Sequence, residues 1–205
     1  MYPMGNYHPL TETEAVHIAK SIPGVFSPDG EIECQEIGDG NLNLVFRVTQ
    51  PGSGAGLILK QALPYAKVVG ESWPLTLDRS RIESEALRMQ AKLAPGLVPE
   101  VYRYDPELAL TVMEDLSGHA IMRKGLIAGG VYPRFTEDIT DFLSRTLFYT
   151  SDLGMNQQEK KLLVKSFINP ELCKITEDLI FDDPYTNSPN NSFDEHLRED
   201  AEALW

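Results

Sequence analysis

The chain has 205 residues, and its 31 Asp and Glu against 18 Lys and Arg give a formal net charge of −13. Hydrophobic residues make up 42% of it, enough to bury a core, which excludes a wholly disordered acidic chain. The charge argues against nucleic acid or an anionic membrane as a general partner, because both attract basic surfaces, and it leaves room for a local anion site. Cys34 and Cys173 stand far apart with no Cys-x-x-Cys pair, so neither a disulfide framework nor a thiolate zinc site is expected, and both read as core thiols. No apolar run approaches the ~18 residues of a membrane span. The opening stretch Met1 to Asn6 lacks the basic and apolar regions of a secretory signal, which leads to the expectation of a cytoplasmic protein.

In chain order, Thr11-x-x-Glu14 is a capping box that opens a short helix with Ala15, Ile18 and Ala19 on one side, closed by Pro23-Gly24. After the turn Ser27–Gly30, strands are predicted at 31–37, 42–49 and 56–61. They are joined by Gly38-Asp39-Gly40-Asn41 and Pro51-Gly52-Ser53-Gly54, so the region reads as an antiparallel meander. Residues 63–77 show no period and include Trp73-Pro74, which predicts a loop. Asp78 is the expected cap of a helix carrying Ile82, Ala86, Met89 and Leu93, stopped by Pro95-Gly96. Strands at 98–104 and 108–114 follow, linked by Asp105-Pro106-Glu107.

Beyond residue 115 the pattern is helical: 136–152, 156–168, 170–181 with Pro170 in its first turn, and 192–205 behind a Ser192-x-x-Glu195 capping box. Residues 182–191 read as a polar loop. The order is that of an α+β unit of about 115 residues followed by an all-helical segment, with the boundary near Asp115 to Gly118.

Four features could carry chemistry. In Ile37-Gly38-Asp39-Gly40-Asn41-Leu42-Asn43, Gly38 and Gly40 let backbone amides approach phosphate oxygens, although the same residues make an ordinary hairpin turn. Lys60 ends the apolar run Leu57-Ile58-Leu59 on the third strand, where it can reach beneath that turn. On the following helix either Glu83 or Glu85 can pair with it, the lysine–glutamate device of kinase folds. Finally, the strand ending in Glu114-Asp115-Leu116 runs into the domain boundary, where backbone groups of a connector would meet an adenine edge. Each feature alone has a structural explanation, but their order and spacing agree with one architecture, a kinase amino-terminal lobe.

The stretches Cys34 to Phe46, Lys60 to Arg79 and Val112 to Leu116 resemble the S-methyl-5-thioribose kinase family, relatives of aminoglycoside phosphotransferases and choline kinases. The likeness continues through Arg123 to Leu126, Thr146 to Tyr149 and Asn169 to Cys173. The resemblance implies a protein-kinase-like two-lobed fold: an antiparallel β-sheet N-lobe with a pairing helix, residues 1–116, and an incomplete helical C-lobe, residues 117–205. It also implies use of ATP and Mg2+ to phosphorylate the 1-hydroxyl of methylthioribose in methionine salvage, and a homodimer. Carried onto matching positions, Asn43 with Gly38 and Gly40 would contact ATP, Lys60 would bind the phosphates with Glu83 as its partner, and Glu114, Asp115 and Leu116 would face adenine.

The chain departs from the family in lacking both the His-Gly-Asp-Leu-His type of catalytic loop and the Asp-Pro-Glu segment that ligands magnesium. His8, His17, His119 and His196 are the four histidines and none precedes Gly-Asp, while Asp183-Pro184-Tyr185 lies in the polar loop. No catalytic or metal-ligating residue is therefore assigned here. The expectation is an amino-terminal portion of such a kinase, inactive alone, with the metal ligands elsewhere. Two alternatives stand: another small-molecule kinase of the superfamily, acting on choline, homoserine or an aminoglycoside, or a non-catalytic protein that keeps the nucleotide lobe.

Overall fold

Helix α1 (Glu12–Lys20) begins at the capping box: Thr11 Oγ1 accepts from the Glu14 amide while the Glu14 carboxylate accepts from the Thr11 amide. The structure is a computed structural model that describes residues 7–38, 42–66, 70–185, 199, 200 and 203. It divides into two compact units, Met1–Phe167 and Ile168–Trp205.

In the first unit α1 is followed by β1 (Glu33–Glu36), β2 (Asn43–Gln50), β3 (Ala55–Ala62), β4 (Tyr65–Ala66), β5 (Gly70–Pro74), α2 (Asp78–Leu93), β6 (Val101–Asp105) and β7 (Leu110–Glu114). Helices α3 (Met122–Ile127), α4 (Phe135–Tyr149) and α5 (Gln157–Phe167) complete it. Five strands form one antiparallel sheet in the order β1-β2-β3-β7-β6, so the unit is α+β.

Period-two alternation decides what each face of the sheet does. Phe46, Val48, Leu57, Leu59, Leu110 and Val112 share one face and are buried with Leu10, Ala15, Ala19 and Ile22 around α1. Burying each large apolar side chain there contributes roughly 1.5–3 kcal/mol, and the small Ala15 and Ala19 let the helix lie close. Gln61 is fully buried on this face, with its amide matched on every side. It accepts from the Leu10 amide at 2.9 Å and donates to the His8 and Leu108 carbonyls at 2.8 and 3.0 Å. Gln50 is likewise buried, bonded to the Ser27 amide and carbonyl. Gly30 makes room for it, since a Cβ there would stand 1.2 Å from Gln50 Nε2. On the opposite face Val45, Arg47, Ile58 and Lys60 stay partly exposed, and α2 covers part of it through Ser80, whose hydroxyl lies 3.4 Å from that of Thr111.

Several expectations are corrected. Residues 63–77 are not simply loop: β4 and β5 pair as a short antiparallel ribbon, Tyr65 opposite Pro74 and Ala66 opposite Gly70, too brief to show alternation in sequence. Asp78 is not the cap of α2. That position is Leu77, without a side-chain cap bond, and the Asp78 carboxylate is held by Arg81 instead. The sixth strand starts at Val101 rather than 98, and α3 (Met122–Ile127) is a helix ahead of the first one expected after residue 115. Cys173 is exposed rather than a core thiol, whereas Cys34 is half-buried and packs against the core, its thiol pushed up by burial and by Glu12.

In the second unit α6 (Pro170–Glu177) has Asn169 as its N-cap, accepting from the Leu172 amide. It does not run unbroken to 181: the chain passes into a π-helical turn at Asp178–Asp182 and a 3-10 turn at Asp183–Tyr185. Of the expected helix 192–205, residues 199, 200 and 203 are helical, and its capping box at Ser192 and Glu195 lies outside the described residues, as do 186–191 of the polar loop.

Candidate functional site

The partly exposed face of the sheet carries the candidate site. Lys60 sits on β3 opposite Val45 of β2 and Thr111 of β7, and the Ser80–Thr111 approach brings the first turns of α2 beside it. Lys60 Nζ donates to Glu83 Oε1 at 2.5 Å, with 28% and 39% of the two side chains exposed. The choice between Glu83 and Glu85 is thereby resolved. Glu85, on another helical face, accepts from Arg81 at 2.9 Å. Arg81 also forks onto both Asp78 oxygens at 2.7 Å and donates to the Ser166 carbonyl at 2.6 Å, which ties α2 to the end of α5.

Two residues along β3 from Lys60 is Ile58, opposite Arg47 and Met113, and Val45, Ile58 and Met113 put apolar side chains on this face beside Lys60. Two residues further is Gly56, over which a second ion pair lies. Asp115 Oδ2 accepts from Arg47 Nε at 2.7 Å and from the Ser117 hydroxyl at 3.0 Å, while Oδ1 accepts from the Ser117 amide at 2.8 Å. Arg47 Nη2 donates in turn to Ser117 Oγ at 2.5 Å. Burial pushes the Asp115 carboxyl up, but the bonds from Arg47 and Ser117 outweigh it and hold the group below the usual carboxylate range.

Glu114 ends β7, its amide donating to the Glu100 carbonyl at 2.9 Å, and its carboxylate accepts from the Glu100 amide. Leu116 is exposed and its carbonyl accepts from the His119 amide at 2.8 Å. Asn43 opens β2 opposite Ala62, and Gly38 is exposed with open space around it. Gly40 lies outside the described residues. Arg47, Gly56 and Arg79 were not among the expected site residues. Arg79, buried, donates to the carbonyls of Thr76 and Leu42, so the start of α2 holds the chain where it enters β2. A signal for Arg47 exists in the sequence, a lone charge within the apolar strand Leu44-Val45-Phe46-Arg47-Val48. Among the described residues no group of three or more His, Cys, Asp or Glu side chains could hold a metal ion.

An ion-paired lysine on the open face of a sheet, partnered by a glutamate of the following helix, is a device that kinase folds also use. The relatives are kinases by name. The chain is 59% identical to the methylthioribose kinase of Geobacillus sp. (strain WCH70) over 199 residues, which is 97% of this chain and 50% of that protein. It is 56% identical over 200 residues to the methylthioribose kinase of Bacillus pumilus (strain SAFR-032), and 52% identical over 199 to that of Bacillus velezensis. These similarities bear out the resemblance read from the motifs, and the chain spans about half the length of the curated relatives it matches. No family model matches it.

Proposed function

We propose that the chain is the ATP-binding portion of a methylthioribose kinase, which transfers a phosphoryl group from ATP to the sugar's 1-hydroxyl in methionine salvage. The observation that carries this reading is the 2.5 Å Lys60–Glu83 pair on the open face of the sheet. Glu83 holds the ammonium toward that face, where Lys60 meets phosphate oxygens, and the side chains of Val45, Ile58 and Met113 take the purine. A strand rises about 3.3 Å per residue, so the interval from Gly56 to Lys60 spans about 13 Å, long enough for a base at one end and phosphates at the other. The backbone at Glu114, Asp115 and Leu116 pairs with the adenine edge, and backbone amides near Gly38 and Asn43 face the phosphates.

On this reading residues 1–116 form the nucleotide lobe of a two-lobed kinase and residues 117–205 the connector and first helices of the sugar lobe, in a cytoplasmic homodimer. Magnesium, when bound, neutralises charge on the transferred phosphoryl group, and no step is assigned to residues of this chain through it. Because the 205 residues contain no His-Gly-Asp catalytic loop, the chain alone binds ATP without transferring phosphate. Calorimetric titration of ATP tests the reading. Lys60→Ala is expected to weaken binding about tenfold or more, the loss of a charge-assisted contact. Equal affinity in the variant and the parent chain contradicts it, as does transfer of phosphate to methylthioribose by the chain alone.

A further inference from the structure

The Arg47–Asp115 pair lies at the other end of the same face from Lys60–Glu83, and it is built more tightly than a surface ion pair. Exposed pairs are solvated and weakly coupled, whereas here the carboxylate is buried, Asp115 being only 8% exposed with Arg47 at 39%. The guanidinium and Ser117 together supply the donors to both its oxygens. Gly56 completes the seat: a Cβ there would stand 2.7 Å from Asp115 Oδ2 and 3.2 Å from Asp115 Cβ. The strand lacks a side chain where the carboxylate rests. The network joins β2 to the chain leaving β7, across the intervening β3, between residues 68 apart in sequence. A groove of about 440 Å³ opens beside it, lined in part by Thr49, Gln50, Gly52 and His119.

We propose that Arg47, Gly56, Asp115 and Ser117 form a clasp that fixes the connector 115–117 over β3, so that its backbone presents a set edge to a nucleobase. Arg47 and Asp115 are positioning residues for the base and not for the phosphates. The Asp115 carboxylate is turned inward onto Arg47 and Ser117, so the connector meets the base through its main chain. Arginine suits the role because its planar fork presents Nε to Asp115 and Nη2 to Ser117 in one fixed geometry, which a rotatable ammonium does not. The proposal rests on the nucleotide-binding reading above.

Titration of adenosine and of ATP into the 205-residue chain separates the two ends. Arg47→Ala and Asp115→Ala are each expected to weaken adenosine and ATP by the same factor, about tenfold. The double variant should weaken them no further than either single change, and Gly56→Ala should reproduce the loss. Arg47→Lys, which keeps the charge and loses the fork, should fall between. Lys60→Ala should weaken ATP and leave adenosine unchanged. The clasp is overturned if Arg47→Ala leaves adenosine binding at the wild-type value, if it weakens ATP alone, or if the two single losses add. Should Lys60→Ala behave as expected while Arg47→Ala matches wild type, the clasp falls and the nucleotide reading stands. Should the wild-type chain bind neither adenosine nor ATP, both fall together.

Discussion

Glu83 and Glu85 differ by two positions on one helix, and that difference separates the partner of Lys60 from a tether. A two-residue step turns a helix by about 200°, so the carboxylates face opposite ways. Glu83 meets Lys60, and Glu85 meets Arg81. Glu83→Gln should therefore weaken ATP binding several-fold, while Glu85→Gln leaves it unchanged, and calorimetric titration of both distinguishes them. Ser84 lies between the two, its hydroxyl buried and without a hydrogen-bond partner. An unsatisfied buried hydroxyl costs roughly 1–3 kcal/mol, so Ser84→Ala should keep or raise the urea midpoint, and a clear fall in it would contradict that account. At this scale the sequence was half legible. A lysine closing an apolar strand and a glutamate on the next helix are local patterns, so Lys60 and Glu83 could be named. Arg47 and Asp115 meet across 68 residues and a whole strand, and no local pattern encodes such a pairing.

Elements whose ends are marked by side chains were the readable ones. The α1 capping box, the turn at Pro51 to Gly54 and the Pro170 helix start follow from chemistry within a few residues; residues 39–41 of the other meander turn lie outside the described residues. The β4–β5 ribbon does not, having two paired positions only, and the start of α2 is set by Arg79 and Arg81 rather than by the Asp78 cap that the sequence suggests. The capping box also sets a pH dependence. Hydrogen bonds from the Thr11 backbone, then from His8 and the Thr11 side chain, lower the Glu14 carboxyl from 4.5 to about 2. A group depressed in the folded state stabilises above its unfolded value and loses that contribution as pH falls through the folded one. The first turn of α1 should accordingly loosen between pH 4.5 and about 2. Amide exchange at Ala15 and Ile18 checks this, with faster relative opening at low pH expected in the parent and little change in Glu14→Gln.

Across the whole molecule, the large buried apolar side chains gather mainly on the α1 side of the sheet, and the chain after β7 leaves much of its apolar surface exposed. Leu153, Val131 and Ile127 are 87%, 84% and 81% exposed, and Leu147, Phe148 and Leu162 are at least half exposed. Apolar surface on that scale binds apolar dyes and promotes self-association. The 205-residue chain should show both in dye fluorescence and sedimentation, and a monodisperse chain that binds no dye would contradict this. Helical periodicity located α4 and α5 but carries no information about what an apolar stripe packs against, so the sequence was legible for these helices and not for their partners.

Hydrogen exchange with and without ATP tests the central claim most directly, because the two faces of the sheet carry different roles. ATP should slow exchange at the connector, Glu114 to Ser117, and around Lys60 on β3, and leave α1, which covers the opposite face, unchanged. Protection confined to α1, or none anywhere at saturating ATP, would contradict the account.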